Sequence, residues 1–211
     1  MSFAKAPSAS GQAGDEADCP SGAHVDPRVL RSRQAVLTAA VDLLAEHGVS
    51  GVTVEAIAHC SGVAKTTIYR HWPEPSQLVL DAIRGLAEPC AFPDTGSLRG
   101  DLTEILEAMA DNITTSKLAQ VLPSLIDAAG RDTAMADVQR VWVQERRASL
   151  RAALRHAEAR GEIAAGIDAD LVAAMSGGSL FYRRLISHEP LSESFIAGVV
   201  DGALEIVGAH R

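Results

Sequence analysis

The segment 52–72 constrains the fold more than any other stretch, because it reads as two short helices joined by a tight turn. Val54 and Ile57 are three residues apart and therefore share one face of the first helix, whose free N–H groups the Thr53 side chain can cap. Gly62 interrupts the apolar spacing, and glycine readily takes the left-handed conformation that ends a helix and turns the chain. The pattern predicts a hairpin of two helices.

The second helix of this hairpin separates apolar from polar side chains. Ile68 and Trp72 are four residues apart and are predicted to face the core. The opposite face would carry the side chains of Lys65, Thr66, Thr67, Tyr69, Arg70 and His71. This is the plan of a helix-turn-helix, whose second helix enters the major groove of DNA, and such groups can bind phosphates or base edges. A helical hairpin with an ordinary solvated face would show the same spacing.

These residues resemble the DNA-binding domain of TetR-family transcriptional regulators, whose pattern runs roughly T-V-x-x-I-A-x-x-A-G-V-S-x-x-T-L-Y-x-H-F. The matching or conservatively replaced positions are Thr53, Val54, Ile57, Ala58, Gly62, Val63, Thr67, Ile68, Tyr69 and His71, with Trp72 in place of the final phenylalanine. The resemblance implies an all-α fold, with a three-helix DNA-binding head and a helical-bundle body for ligand binding and dimerisation. It also implies a homodimeric repressor that binds a palindromic double-stranded operator and is released by a small molecule.

The predicted DNA contacts come from both ends of the head. A cluster of arginines opens a long first helix, where cations oppose the helix dipole; bound phosphate would explain the cluster, and simple solvation is the alternative. The predicted DNA-binding residues are Arg28, Arg31, Thr53, Lys65, Thr66, Thr67, Tyr69, Arg70 and His71. Two positions depart from the family pattern: Ala64 replaces a hydroxyl residue, and Pro75 replaces a lysine. We therefore expect fewer phosphate contacts and weaker or less salt-dependent binding.

Composition favours a helical protein of a reducing compartment. The 47% hydrophobic content suffices for a core, and the low aromatic content of 4%, with abundant Ala and Leu, favours helices over sheets. No apolar run approaches the roughly 20 residues that span a bilayer, so no membrane partner is expected. Three cysteines at unrelated spacings predict neither a disulfide framework nor a zinc finger. The expected location is the cytoplasm.

The net charge of −8 is compatible with DNA binding once the charges are located. Residues 24–72 contain five Lys or Arg against four Asp or Glu, so the excess acid lies elsewhere in the chain. One helix of the body carries a basic run comprising Arg140, Arg146, Arg147, Arg151, Arg155 and Arg160. We expect this run to be a solvated face above acidic neighbours, with a second nucleic-acid surface as the alternative.

The chain is predicted to divide into a head and a body. Residues 1–25 predict a disordered tail, and residues 26–74 the helix-turn-helix domain, whose first helix ends near His47. Residues 75–88 predict a linking helix, and residues 97–211 the ligand-binding and dimerisation domain. Its helices are predicted at 97–116, 118–129, 133–160, 168–187 and 191–209, with a kink at Pro123.

The last helix is apolar over a wider arc than one neighbouring helix can cover. Phe195 and Val199 lie on one stripe, and Ile196 and Val200 lie on the adjacent stripe. The simple interpretation is a core helix, and the alternative is a four-helix dimer interface, which the resemblance favours. The predicted interface residues are Leu171, Gly178, Phe195, Val199, Gly202 and Ile206.

No catalytic constellation, cofactor motif or helical metal-ligand pair occurs in the sequence, so an enzyme is not predicted. We expect instead a pocket between body helices for an unknown small-molecule effector, lined by Met109, Asn112, Ile113, Leu125, Trp142, Met175, Phe181 and Tyr182. Cys60 is expected to be a small buried hydrophobic residue, with an oxidation switch as the alternative. Control by a protein partner, and a helical carrier or enzyme with an incidental helix-turn-helix, are further alternatives.

Overall fold

The computed structural model describes residues 27–86 and 92–209, and within these ranges it contains ten α-helices and no β-strand. The helices are α1 Pro27–His47, α2 Val54–Ser61, α3 Lys65–His71, α4 Pro75–Arg84, α5 Leu98–Thr114, α6 Lys117–Ala129, α7 Thr133–Arg146, α8 Ala148–Arg160, α9 Ala169–Phe181 and α10 Glu193–Ile206. A 3₁₀ turn at Val49–Gly51 follows α1, and a π-helical turn at Tyr182–Ile186 extends α9. The predicted all-α class is confirmed, whereas the predicted tail 1–25 lies outside the described residues.

We call α1–α3 the head and α5–α10 the body, with α4 between them. The head closes around apolar side chains spaced along its three helices, and Val36, Leu44, Ile57, Ile68 and Trp72 are all buried. Helix α4 packs on α1 through its own apolar face and on α7 of the body. Helix α4 therefore contacts both units, and it ends at Arg84, before the predicted end at residue 88.

Most body helices begin where the sequence supplies a side-chain cap. In each case a Ser or Asp oxygen accepts a hydrogen bond from an N–H of the first turn, which would otherwise lack a partner. The capping residues are Ser97, Ser116, Asp132, Asp168 and Ser192. Helix α5 supplies much of the core, since its Leu98, Leu102, Leu106 and Ile113 are almost wholly inaccessible to solvent. None of the described helices is long and apolar enough to cross a membrane.

The prediction of one continuous helix over 133–160 was wrong, because the chain forms two helices that meet at Arg147. Helix α7 packs against α6 and α4, whereas α8 packs against α5 and α9. Helices α7 and α8 therefore pack on different helices, and neither glycine nor proline lies at the break between them. Helix α6, in contrast, continues through Pro123, whose missing N–H removes one helical hydrogen bond.

The arginines of α7 and α8 are largely paired, as the sequence analysis expected. Arg151 donates to Asp170 at 2.6 Å, and Arg160 contacts both Glu162 and the fully buried carboxylate of Asp101. Within the described part of the chain, this basic run therefore meets acidic neighbours of the body itself. The ion pairs favour a solvated, internally compensated face over a second nucleic-acid surface.

Candidate functional site

The helix-turn-helix is closed by short local hydrogen bonds. The Thr53 hydroxyl oxygen accepts a hydrogen bond from the Ala56 N–H at 3.1 Å and so caps α2. Gly62 then takes a φ of 69°, the left-handed region in which a side chain would be strained. The Ser61 hydroxyl accepts from the Val63 N–H at 3.2 Å and holds the turn. The capping and turn roles predicted from the sequence are present in the structure.

Helix α3 presents the predicted division between an inner and an outer face. Ile68 and Trp72 are buried, with 1% and 3% of their surface exposed, whereas Tyr69 is 48% exposed. Of the other predicted contact residues on this helix, the exposed ones are Lys65, Thr66 and Arg70, and the half-buried ones are Thr67 and His71. The outer face of α3 therefore combines two cations, hydroxyl groups and one aromatic side chain.

An ion pair positions the first cation of α3. The Lys65 ammonium donates to the Glu55 carboxylate of α2 at 2.6 Å, and both side chains are exposed. The hydrogen bond from Lys65 lowers the pKa of Glu55 below its ordinary value. Glu55 therefore holds Lys65 in place and also compensates its charge while no polyanion is bound.

His71 lies deeper than an outer-face residue is expected to lie. Its Nε2 atom is buried and has no hydrogen-bond partner among the described residues, and its ring meets the edge of Trp72 at a centroid distance of 5.8 Å. The two departures from the family pattern also have structural counterparts. Ala64 is the residue before α3, and it provides no side-chain hydrogen bond to cap the helix. Pro75 is the first residue of α4.

The arginine cluster of α1 divides into two kinds of residue. Arg28 and Arg31 are exposed, and the Arg31 Nε donates to the Pro27 carbonyl at 3.3 Å. Arg33, in contrast, lies 5.0 Å from the centre of the Trp72 ring and donates to Asp81 of α4 at 2.6 Å. Arg33 therefore has a structural partner inside the head, while the first two arginines remain on the surface.

Asp81 of α4 joins three parts of the molecule. Its carboxylate accepts hydrogen bonds from Arg33 of α1 and, at 3.0 Å, from the Trp72 indole N–H at the end of α3. It also pairs at 3.0 Å with Arg84, one turn further along α4. Arg84 in turn binds the Glu145 carboxylate of α7 through two nitrogens, which raises the pKa of Arg84 and lowers that of Glu145. We call Trp72, Asp81, Arg84 and Glu145 the head–body link.

The body contains a cavity of about 930 Å³ that is partly open to solvent and lies between α5, α6, α7, α9 and the π-helical turn. Six of the eight predicted pocket residues line it: Met109, Asn112, Ile113, Trp142, Phe181 and Tyr182. Leu125 and Met175 do not. Leu125 is fully buried in the core on another face of α6, and Met175 points away from the cavity with 50% of its surface exposed.

Comparison with known proteins identifies the family. A model described as "Bacterial regulatory proteins, tetR family" matches residues 36–82, and one described as "Tetracyclin repressor-like, C-terminal domain" matches residues 92–203. The chain belongs to the TetR family of transcriptional regulators. An uncharacterized HTH-type transcriptional regulator of Mycobacterium tuberculosis, Rv1556, is 31% identical over 182 residues, which cover 85% of this chain and 89% of that protein.

Two further TetR-family relatives match nearly their whole length. The DNA-binding transcriptional repressor TetR of Mycobacteroides abscessus is 28% identical over 178 residues, which cover 82% of this chain and 92% of that protein. The crystal structure of the TetR-family regulator SCO0332 is 34% identical, with a TM-score of 0.67 over 84% of this chain and 98% of that one. The chain is therefore a DNA-binding transcriptional regulator with the helix-turn-helix head of its family.

The outer side of α9, the π-helical turn and α10 in this TetR-family chain carries several large apolar side chains. Its exposed side chains include Leu171, Met175, Tyr182, Ile186 and Ile206, between 41% and 67% of whose surface is accessible. Of the other predicted interface residues, Gly178 is exposed, and Phe195, Val199 and Gly202 are half-buried. The adjacent stripe of α10, Ile196, Val200, Ala203 and Val207, is buried in the body. Helix α10 thus has one stripe in the core and one on the surface.

Two features of this family member were not predicted from the sequence. Cys60 is exposed rather than buried, and Val54 and Ile57 are the only buried residues of the eight-residue α2. The head–body link was also missed, because the partners of its longest-range contact, Arg84 and Glu145, lie 61 residues apart. The only local signal was the spacing of Asp81 and Arg84 by three residues on one face of α4.

Proposed function

We propose that the protein is a homodimeric repressor that binds a palindromic operator through α3 and leaves it when a small molecule occupies the body cavity. The proposal rests on the outer face of α3, where exposed polar side chains stand above the buried Ile68 and Trp72. A recognition helix needs this arrangement, because its inner side must be fixed while its outer side reaches into the major groove. The similarity to a repressor of Mycobacteroides abscessus favours repression over activation.

Each exposed group has a distinct role in the proposed complex. Lys65, Arg70, Arg28 and Arg31 would neutralise phosphates, and Arg70 could alternatively fork onto a guanine. The Thr53 hydroxyl uses its oxygen to accept the α2 cap and still has a proton to donate to a phosphate. The further contacts would come from Thr66, Thr67 and Tyr69. His71 contributes only after its covered Nε2 moves to the surface.

The homodimer would form through the outer side of α9 and α10. A surface of large apolar side chains rarely stays exposed to water, and the five large apolar side chains named above are 41–67% exposed. At Gly178 and Gly202 an added Cβ would meet nothing within 4 Å in the single chain, so these positions leave room for a close partner helix. Two such copies form a four-helix interface with two-fold symmetry, which pairs two heads with two half-sites.

Release would pass through the head–body link. Trp142 and Arg146 line the cavity on α7, and Glu145 between them holds Arg84 of α4. Helix α4 holds the end of α3 through the bond between Asp81 and Trp72. A ligand can shift the head only by its difference in affinity between the two arrangements, which is typically about 1–3 kcal/mol of coupling.

The decisive experiment is binding of the purified protein to its own promoter-region DNA by mobility shift at two salt concentrations. A Tyr69→Ala, Arg70→Ala variant is the test, and Arg140→Ala, an exposed cation of α7, is the matched control. Saturable, salt-sensitive binding by the parent and by Arg140→Ala, but not by the double variant, supports the proposal. Equal binding by all three proteins would contradict it.

The same assay separates the alternatives. It is run with and without reductant, because Cys60 is exposed at the end of α2. Binding that responds to oxidant and loses this response in Cys60→Ser would favour redox control. A genome-wide selection of bound fragments follows if promoter DNA fails, and the absence of any selected fragment would contradict DNA binding through this head. A cytoplasmic location and control by a protein partner stay predictions.

A further inference from the structure

The lining of the body cavity has a charge opposite to that of the whole chain. Arg146, Arg147, Arg184 and His188 contribute to its wall, and no Asp or Glu among the described residues does so. The chain as a whole carries a net charge of −8. Most of the remaining lining is aliphatic or aromatic. The cavity is therefore a mainly apolar chamber in which the charged groups all have one sign.

The cations of the wall differ in how they are compensated. Arg147 lies 3.6 Å from the Asp170 carboxylate, so part of its charge is already balanced. Arg146 stacks over the Trp142 ring at 5.6 Å. Arg184 forms no ion pair with any residue of the ranges 27–86 and 92–209, and it is half-buried. A half-buried cation without a counter-charge is unfavourable, and a bound anion would remove that cost.

One neutral polar group of the wall is a hydrogen-bond donor without a partner among the described residues. The Ser176 hydroxyl and the Asn112 amide N–H₂ both donate to carbonyls of their own helices, at 2.7 Å and 2.8 Å. The Trp142 indole N–H is buried and has no hydrogen-bond partner in the described part of the chain. Its nitrogen is covered by neighbouring atoms, so a small movement of the wall must accompany any contact with it. An unpaired buried donor is costly, and a ligand acceptor would satisfy it.

Arg184 belongs to the π-helical turn, which forms one part of the cavity wall. Four of the five residues of this turn, Tyr182, Arg184, Leu185 and Ile186, line the cavity. A π turn at the end of an α-helix is a local irregularity that is frequent at functional sites. The turn thus contributes a cation to a part of the wall whose other three residues are an aromatic and two aliphatic side chains.

From these observations we infer that the effector is a small organic anion with an apolar body, whose acidic group lies against Arg184 and whose body fills the apolar chamber. This inference rests on the proposed function, in which the cavity is the effector site. A cavity of about 930 Å³ is at the upper end of the roughly 300–1,000 Å³ of small-molecule pockets, so it accommodates a ligand of substantial size. A neutral ligand would leave Arg184 unbalanced, and a cationic one would be repelled.

The test compares probes that share an apolar body and differ in charge. Decanoate, decanol and decylammonium are titrated into the full-length protein, without DNA, by isothermal titration calorimetry. The series is repeated with naphthoate, naphthylmethanol and naphthylmethylammonium, because the shape of the apolar body is not part of the inference. Arg184→Gln removes the unpaired cation of the wall, and Arg140→Gln removes a cation of α7 that lies outside the cavity.

We expect the anion of at least one series to bind about ten-fold or more tightly than its alcohol, the difference that a charge-assisted contact supplies. Arg184→Gln should remove this preference and leave alcohol binding within about two-fold, whereas Arg140→Gln should keep it. Trp142→Phe, which deletes only the N–H donor, should weaken anion binding more than alcohol binding. Circular dichroism of each variant verifies its fold.

Each other outcome has a defined meaning. Equal or tighter binding of the alcohol or the ammonium compound in both series overturns the inference, as does failure of every probe to bind at its solubility limit. An anion preference that persists in Arg184→Gln overturns the assignment to Arg184. Anion binding that leaves the protein–DNA complex intact supports this inference and contradicts ligand release. Loss of DNA binding by the parent itself concerns the head and is measured separately.

Discussion

Asp81→Ala should destabilise the head by far more than removal of an ordinary surface carboxylate. The variant removes the acceptor of the part-buried Trp72 indole N–H, and a hydrogen bond to a charged group contributes roughly 1.5–3 kcal/mol. It also removes the partner of Arg33 and Arg84, whose side chains are 44% and 43% exposed, so each pair contributes only about 0.2–1 kcal/mol. The expected loss is therefore about 2–5 kcal/mol of unfolding free energy.

The two tryptophans make this loss measurable in the head alone. Trp72 lies in the head and Trp142 in the body, so urea unfolding followed by fluorescence in a Trp142→Phe background reports on the head. Asp137→Ala is the matched control, because it removes an exposed carboxylate of α7 that pairs with Arg140 one turn away. The control should change stability by less than about 0.5 kcal/mol.

Asp81→Asn separates the contribution of the hydrogen bond from that of the charge. Its amide oxygen can still accept from the Trp72 N–H, so it should retain more stability than the alanine variant. If Asp81→Ala costs no more than Asp137→Ala, the carboxylate does not fix the end of α3, and the reasoning that places it at the centre of the head–body link is refuted.

Three further predictions concern the DNA face, the outer side of α9 and the loss of stability at acid pH. Lys65→Ala should lower the salt slope of DNA affinity by about 0.9 for each subunit, or about 1.8 for the proposed dimer, while Glu55→Gln, which frees Lys65, should strengthen binding; mobility shifts over a salt series measure both. Leu171→Asp should give a monomer in light scattering, whereas Val141→Asp, an exposed apolar residue of α7, should not. Because the pKa of Glu145 is lowered, its carboxylate stabilises the folded protein above about pH 4.5, and this stabilisation is lost as the pH falls through the lowered pKa. Glu145→Gln should therefore reduce the acid-induced loss of unfolding free energy by less than about 1 kcal/mol, as measured by thermal melts over a pH series.

The head was predictable from the sequence because its determinants are local. Thr53 caps the helix that starts one residue later, Gly62 turns the chain where the apolar spacing stops, and Ile68 and Trp72 share a face by being four residues apart. Each of these relations spans a few residues and depends on backbone geometry. The depth of His71 was not predictable, because it depends on how closely its ring packs against Trp72.

The body was predictable in its helices and less so in what interrupts or connects them. The break at Arg147 follows from two halves of one amphipathic segment packing on different partners, which no local pattern encodes. Leu125 and Met175 had the right chemistry for a pocket and lie on other faces of their helices. The two stripes of α10 were both visible, yet only the packed body distinguishes the buried stripe from the exposed one.

The Arg84–Glu145 pair of the head–body link is suited to exchange between two arrangements rather than to permanent stabilisation. Arg84 and Glu145 are each 43% exposed, so breaking their pair costs little and water can solvate both partners. The pair also joins α7, whose neighbouring residues Trp142 and Arg146 line the cavity, to α4, whose Asp81 accepts a hydrogen bond from Trp72 at the end of α3. An ion pair that costs little free energy to break can be formed in one arrangement of the protein and broken in another while both arrangements stay folded.

Arg84→Gln should therefore separate binding from coupling. The variant should bind operator DNA and the cavity anion within about three-fold of the parent, because Arg84 touches neither site. The fold-change by which the anion weakens DNA binding should fall by about five-fold or more, the lower end of typical coupling energies. Arg131→Gln, which breaks an exposed pair with Asp127 at the C-terminal end of α6, should leave that fold-change intact. Equal coupling in both variants would show that the signal reaches the head through other contacts, such as the pair of Lys117 with Asp42.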